Sequence, residues 1–267
     1  MGARAAEAPA RPHRSEPLST AGPTTVPYAE ALAASGDDEF VRWQVDPLQS
    51  PTGWVVGDAV AFVRRRPDGH PALTVVGPPA DAARALRNLV PGNGFTRTSV
   101  PFGTLDELAL DPGAVVVGEG ADWEWMVTDS PPPTSTVSSS VQWLTDDDAP
   151  AISALLLAAS PRHSADPGDD DVRGWVGVRA DDGSLVACAA HTEAVPGVPH
   201  LASIATHPSV RGQGLGSVVT GTLVQRLLDA GAPVVTLGMY SDNAVARRMY
   251  HSLGFRCRHL FSSRALL

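Results

Sequence analysis

Ile204-Ala-Thr-His-Pro-Ser-Val-Arg-Gly-Gln-Gly-Leu-Gly216 is the stretch whose reading decides the fold. Upstream, Leu201 to Thr206 is a short apolar run of β-compatible residues, and it ends before Pro208, which cannot continue a central ladder. Downstream, Val218, Val219, Leu223, Val224, Leu227 and Leu228 recur at helical spacing over residues 217–230, and Gly231 offers a C-terminal stop. Gly212, Gly214 and Gly216 therefore stand where a strand hands over to a helix N-terminus. A helix start has unpaired N–H groups and a partial positive charge, and glycines remove the side chains that would hold an anion away from the backbone. The reading is a pyrophosphate cradle.

Residue identity separates three known cradles. A Walker loop needs Gly-Lys-Ser/Thr, yet all 20 basic residues are Arg. A dinucleotide fingerprint needs Gly-x-Gly-x-x-Gly with an acidic residue about twenty positions on. Here the spacing is Gly212-x-Gly214-x-Gly216, and Asp229 lies inside the cradle's own helix. Arg211-Gly-Gln-Gly-Leu-Gly216 resembles, at every defined position, the Arg/Gln-x-x-Gly-x-Gly/Ala loop of the GCN5-related N-acetyltransferases (GNAT). A second segment adds to the resemblance. Val234 to Met239 reads as a buried strand, Asp242 as a helix cap, and Asn243 to Leu253 as a helix closed by Gly254. Asn243 and Tyr250 share one helix face, about 10 Å apart along the axis. Asn243, Ala246, Tyr250, Gly254 and Phe255 match the family's signature Asn-x-x-Ala-x-x-x-Tyr-x-x-x-Gly-Phe.

The resemblance covers residues 141–267 and implies an α+β fold with a mixed, mostly antiparallel sheet. Its order can be followed: a first strand at Val141 to Leu144, a helix capped by Asp146, a hairpin of Trp175 to Val178 with Leu185 to His191, and closing strands in Phe255 to Leu266. The stretch before Trp175 is short, so the family's second helix is short or absent, and with it a usual wall of the acceptor pocket. The family's chemistry is attack of a primary amine on acetyl-CoA, the co-substrate. The resemblance assigns the pyrophosphate to the N–H groups of Arg211, Gly212, Gln213, Gly214, Leu215 and Gly216, the pantetheine arm to Ile204, Ala205, Thr206 and Asn243, and the general acid to Tyr250. His200, at the start of the cofactor strand, and Glu193, in the loop before it, are rival general bases, with a water-mediated route as a third course.

Other constellations fail. His191-Thr-Glu193 has a zinc-deaminase look, but Cys188 and Cys257 are the only cysteines, and no metal is expected. Two distant cysteines give no disulfide framework and suit a reducing, cytoplasmic setting. A formal charge of −9 argues against nucleic acid as a partner. Arg64-Arg65-Arg66 reads as a solvated hairpin end before a Pro-Asp-Gly turn. No stretch approaches a membrane span. Residues 1–27, rich in Ala, Pro, Ser, Thr and Arg, read as a disordered leader without the apolar core of a signal peptide. The absence of Lys beside abundant Ala, Gly, Pro and Arg suggests a GC-rich, bacterial coding genome.

Residues 28–130 form a second α+β segment, separated from the transferase half by the Pro/Ser-rich linker 131–140. Gly53-Trp54-Val-Val-Gly57 echoes Gly174-Trp175-Val-Gly-Val178, and strand Leu73 to Val76 precedes Gly77-Pro78-Pro79 and a helix from Ala80 to Leu89. Either this half is a degenerate transferase-like copy whose prolines replace the glycine cradle, or it is an unrelated α+β domain. Two functions stay open: an N-acetyltransferase acting on a small-molecule amine, and a non-catalytic acyl-CoA-binding or regulatory module. Monomer and homodimer are both open.

Overall fold

The computed structural model describes residues 22–65 and 69–267. The N-terminal half runs β1 (Thr24–Pro27), α1 (Tyr28–Ala34), α2 (Glu39–Gln44), β2 (Thr52–Val56), β3 (Ala59–Arg65), β4 (Pro71–Val76), α3 (Pro79–Leu89), β5 (Arg97–Pro101), α4 (Thr104–Leu110) and β6 (Val117–Thr128). The C-terminal half runs β7 (Gln142–Leu144), α5 (Ala149–Ala159), β8 (Val172–Arg179), β9 (Leu185–Val195), β10 (Val198–Thr206), α6 (Leu215–Asp229), β11 (Val235–Tyr240), α7 (Ala244–Ser252) and β12 (Arg256–Leu266). Each half thus repeats one order: an edge strand, a helix (two in the N-terminal half), three antiparallel strands, helix, a strand parallel to the last, helix, and a long final strand.

All twelve strands join one sheet, ordered β1-β2-β3-β4-β5-β12-β6-β11-β10-β9-β8-β7. The final strands are exchanged. β12 pairs with β5 of the other half, β6 pairs with β11, and β12 and β6 pair with each other. The exchange leaves neither long strand with a bare edge, which would otherwise be an aggregation template. Alternation fixes its register: Trp123, Trp125 and Phe261 all face Phe40 of α2, with Phe40 and Phe261 ring centroids 4.8 Å apart. This core bridges the halves, so each half's stability depends on the other's.

Several local features differ from the sequence reading. Within the leader expected over 1–27, residues 1–21 lie outside the described residues, while Thr24–Pro27 pair with β2, as two threonines and a valine favour. The linker is not free: its turn at Thr134–Thr136 packs where Gly221 of α6 lacks a side chain, and Ser138 N–H donates to Thr222 Oγ1 at 3.0 Å. α5 is entered through a capping box of Thr145 and Asp148, not a cap at Asp146, because Asp148 accepts the Thr145 N–H at 2.7 Å. Asn243, not Asp242, caps α7, accepting the Ala246 N–H at 3.0 Å. Arg64 is no solvated hairpin end: its guanidinium sits 5.5 Å from the Phe40 ring centroid, and burial lowers its pKa. Arg66 lies outside the described residues. Among the described residues no helix stands between α5 and β8, and no helix is long and apolar enough to cross a membrane.

Candidate active site

β10 and β11 run parallel but pair only at His200 with Thr236 and Leu201 with Leu237. Beyond those pairs the strands part, and a cavity of about 590 Å³ opens between them. The parting has a local cause. Ser203 is one of two non-glycine residues with positive φ (49°) among the described residues, and the register with β9 shifts between Ala202 and Ala205. This bulge is braced by the loop after α5: Ser203 Oγ donates to Ala165 O at 2.7 Å and accepts from Ala165 N–H at 2.9 Å. Ala205 and Thr206 hold to β9, so the β11-facing edge of β10, which includes Ile204, has no ladder partner past Leu201. An extended chain with amide groups fits such an edge.

Arg211 to Gly216 stand at the far end of this strand. Gly214 is the N-cap of α6, with φ 80°, and no side chain caps the helix. Gly212 also has positive φ (81°), and a Cβ at Gly212 or Gly214 would meet nothing within 4 Å. The space beside the start of α6 is therefore open at these two positions, and no side chain caps its first-turn N–H groups. Gly216 has another role: its missing side chain lets α6 close on Thr206 and Met249, whose atoms lie 3.4 and 3.3 Å from the absent Cβ. The Arg211 side chain braces the loop, donating to Thr206 O at 3.2 Å and Ala159 O at 2.8 Å. Gln213 and Leu215 lie between these glycines.

Tyr250 and Asn243 both line the cavity. The Tyr250 ring packs against Phe255 at 5.9 Å between centroids, and the side chain is 7% exposed. Burial raises its phenol well above the ordinary value of 10, so it stays protonated at neutral pH. α7 is held to the sheet by Arg247, which donates to Glu124 of β6 at 2.6 Å.

His200 lines the cavity from β10, and Glu193 does not line it. Glu193 lies in β9, ion-paired with Arg173 at 3.6 Å and 3.4 Å from His191 Nε2, beside a separate cavity shared with Gln44 and Arg64. The carboxylate is thus held outside the cleft, paired with Arg173. His200 Nδ1 is 2.9 Å from Thr236 Oγ1, and that hydroxyl also meets Pro199 O at 3.1 Å and Gln44 Nε2 at 3.0 Å. Burial, then the charge of Arg64, lowers the His200 pKa from 6.5 to about 4. The unfolded chain therefore binds more protons between these values, and stability is lost as pH falls from 6.5 through 4, by up to about 3 kcal/mol. Acid titration followed by circular dichroism is expected to show His200→Gln losing less stability than wild type across that window.

Sequence reading missed three groups of cavity residues. Arg162 and His163 come from the loop after α5; Arg162 is paired with Asp242 at 3.3 Å and lies 4.1 Å from the Tyr240 ring centroid. Trp123, Gly120 and Ala121 come from β6, and Ser263 from β12, with Trp123 Nε1 donating to Ser263 Oγ at 2.8 Å. Arg97 comes from β5, and its guanidinium has no hydrogen bond or ion pair among the described residues. Only strand exchange brings the residues of β5, β6 and β12 to the cleft.

The profile of the Acetyltransferase (GNAT) family matches residues 139–255. The C-terminal half is a GNAT-family domain. Its parted strands, glycine cradle and Tyr250 all fall within or beside the matched span. A curated relative, an L-methionine sulfoximine/L-methionine sulfone acetyltransferase of Salmonella typhimurium, is 38% identical over 53 residues, 20% of this chain and 31% of the relative. The chain thus spans under a third of that relative's length. Two solved structures share the fold across both halves. A GCN5-related N-acetyltransferase from Sphaerobacter thermophilus is 16% identical with a TM-score of 0.59, covering 91% of this chain and 95% of its own. One from Kribbella flavida is 18% identical with a TM-score of 0.54, covering 90% and 95%.

Proposed function

We propose that this chain is an acetyl-CoA-dependent N-acetyltransferase acting on the primary amine of a small molecule. The observation that carries the reading is the cleft between β10 and β11, with the Tyr250 phenol and His200 imidazole on its walls and the open glycine cradle in the turn that follows β10. Gly212 to Gly216 would hold the pyrophosphate on backbone N–H groups, and the free edge at Ile204, with Asn243 opposite, would hold the pantetheine arm. Acetyl-CoA would supply an activated acyl group whose leaving thiol has a pKa near 8.5. Tyr250 keeps its proton until a thiolate forms beside it. His200 does not strip an alkylammonium, whose pKa is near 10; it accepts the proton that the amine sheds as its nitrogen gains a bond to carbon. The relative from Salmonella typhimurium, named for small amino-acid substrates, supports a small acceptor.

Calorimetric titration of acetyl-CoA, followed by a screen of amines for thiol release, tests this reading. Micromolar binding with thiol release from an amine supports it. Binding without release from any amine favours the non-catalytic acyl-CoA-binding module, and absence of binding removes both. Tyr250 and His200 on the cleft favour the enzyme, since a binder needs only the cradle.

The N-terminal half we read as a degenerate copy of the transferase unit, its division from the other half falling in residues 131–140. The repeated element order supports this. At the position of the cradle, Pro78 caps α3 and Pro79 is its first residue, so two N–H donors are absent. Hydrogen exchange is expected to show acetyl-CoA protecting residues 204–216 and leaving 73–90 unchanged. Protection in 73–90 would overturn the degenerate reading. A cytoplasmic, bacterial setting fits the composition and the two unpaired cysteines.

A further inference from the structure

We propose that the N-terminal half is a working part of the active site, because Gln44, acting through Thr236, sets His200 as a cleft-facing base with a bare Nε2. The inference rests on the acetyltransferase reading for the base's role, and on hydrogen-bond accounting for its geometry.

Three partners surround one hydroxyl oxygen. Thr236 Oγ1 has a single proton and two lone pairs. Its partner Pro199 O, at 3.1 Å, can only accept, so it takes that proton. The other two partners must then donate. Gln44 therefore presents its amide N–H, at 3.0 Å, and His200 presents an Nδ1–H, at 2.9 Å. The tautomer is fixed by the count: a neutral ring with a proton on Nδ1 keeps its lone pair on Nε2. Thr236 is wholly buried and Gln44 is 4% exposed, so water does not compete for these bonds.

Gly238 of β11 keeps the lone pair accessible. It has an ordinary strand conformation, and the Cβ it lacks would stand 4.0 Å from His200 Nε2 and 3.4 Å from the Trp123 ring. A side chain there would cover the nitrogen. Gln44 belongs to α2, whose start is fixed by Asp38 accepting from Phe40 N–H at 2.9 Å and Val41 N–H at 3.1 Å. Phe40 in turn packs on Phe261 of β12. The same core that joins the halves thus aims the amide at Thr236. Gln44 touches no reacting atom in this scheme; it is a positioning residue.

Nitrogen-15 NMR of the full-length chain labelled at histidine, at pH 7.5, with His200 assigned by His200→Gln, tests the geometry without any substrate. The expected result is an Nδ1-protonated ring, a form that Thr236→Ser keeps and Thr236→Val loses. An Nε2-protonated ring in wild type would overturn the proposal. In steady-state kinetics Thr236→Val is expected to lower kcat about tenfold with KM for acetyl-CoA unchanged, and Gln44→Leu to lower it several-fold. Thr236→Ser should restore it. Wild-type kcat and tautomer in Gln44→Leu would remove Gln44 from the relay. Failure of acetyl-CoA binding in wild type would sink the enzyme reading instead, and leaves the tautomer measurement standing.

Discussion

Gly214→Glu is expected to weaken acetyl-CoA binding at least 100-fold, about 3 kcal/mol, with the fold intact. Gly214 caps a fifteen-residue helix from a left-handed conformation, and a Cβ there would meet no protein atom within 4 Å. The new side chain therefore projects into open space at the N-terminus of the helix. It fills that space and sets a negative charge where a pyrophosphate would lie. Strain is the competing explanation, since a non-glycine residue at positive φ costs about 1–2 kcal/mol. Gly231→Glu separates the two. Gly231 lies just past the other end of the same helix with φ 94° and equally open surroundings, so it carries the strain without the cradle. Calorimetry should show undiminished acetyl-CoA binding in the Gly231 variant and a similar loss of thermal stability in both. Wild-type affinity in Gly214→Glu would show that the glycine loop holds no phosphate.

What could be read from the sequence was what short spans encode. The apolar run before Pro208, the glycines and the period of α6 lie within one continuous segment, and each is decided by neighbours a few residues away. The length before Trp175 left room for a short second helix or none, and none stands there among the described residues. Asp242 was misread as the α7 cap because two good capping residues stand side by side; the turn after β11 gives the cap to Asn243, while Asp242 reaches Arg162 instead. Nothing local could reveal the strand exchange. Alternation in residues 256–266 says that one face is buried, but not that the neighbouring strands are β5 and β6. The surroundings of His200 were hidden for the same reason: Gln44 and Thr236 are 192 residues apart, and only the shared sheet brings them together. Glu193 stood in sequence as a rival to His200 from the loop before the strand; it lies instead in β9, paired with Arg173 and outside the cavity that His200 lines.

Tyr250→Phe is expected to lower turnover about 100-fold while leaving acetyl-CoA affinity nearly unchanged. The ring is what packs: it meets Phe255 edge-on, and the side chain is almost wholly buried, so phenylalanine keeps the contacts that hold α7 on the sheet. The hydroxyl is free for chemistry, with no protein hydrogen bond recorded for it among the described residues. Burial sets the sign of the pH dependence. It disfavours the phenolate and lifts the pKa above 10, so the donor stays protonated through neutral and mildly alkaline pH. The wild-type rate should therefore show no fall from Tyr250 ionisation below pH 10. In the variant the leaving thiolate must take its proton from water, and the loss should appear in kcat while the calorimetric dissociation constant stays put. A variant with wild-type kcat would make Tyr250 a packing residue and leave protonation of the thiolate to solvent. A fall in affinity with kcat preserved would move the hydroxyl from the chemical step to the binding of the cofactor arm.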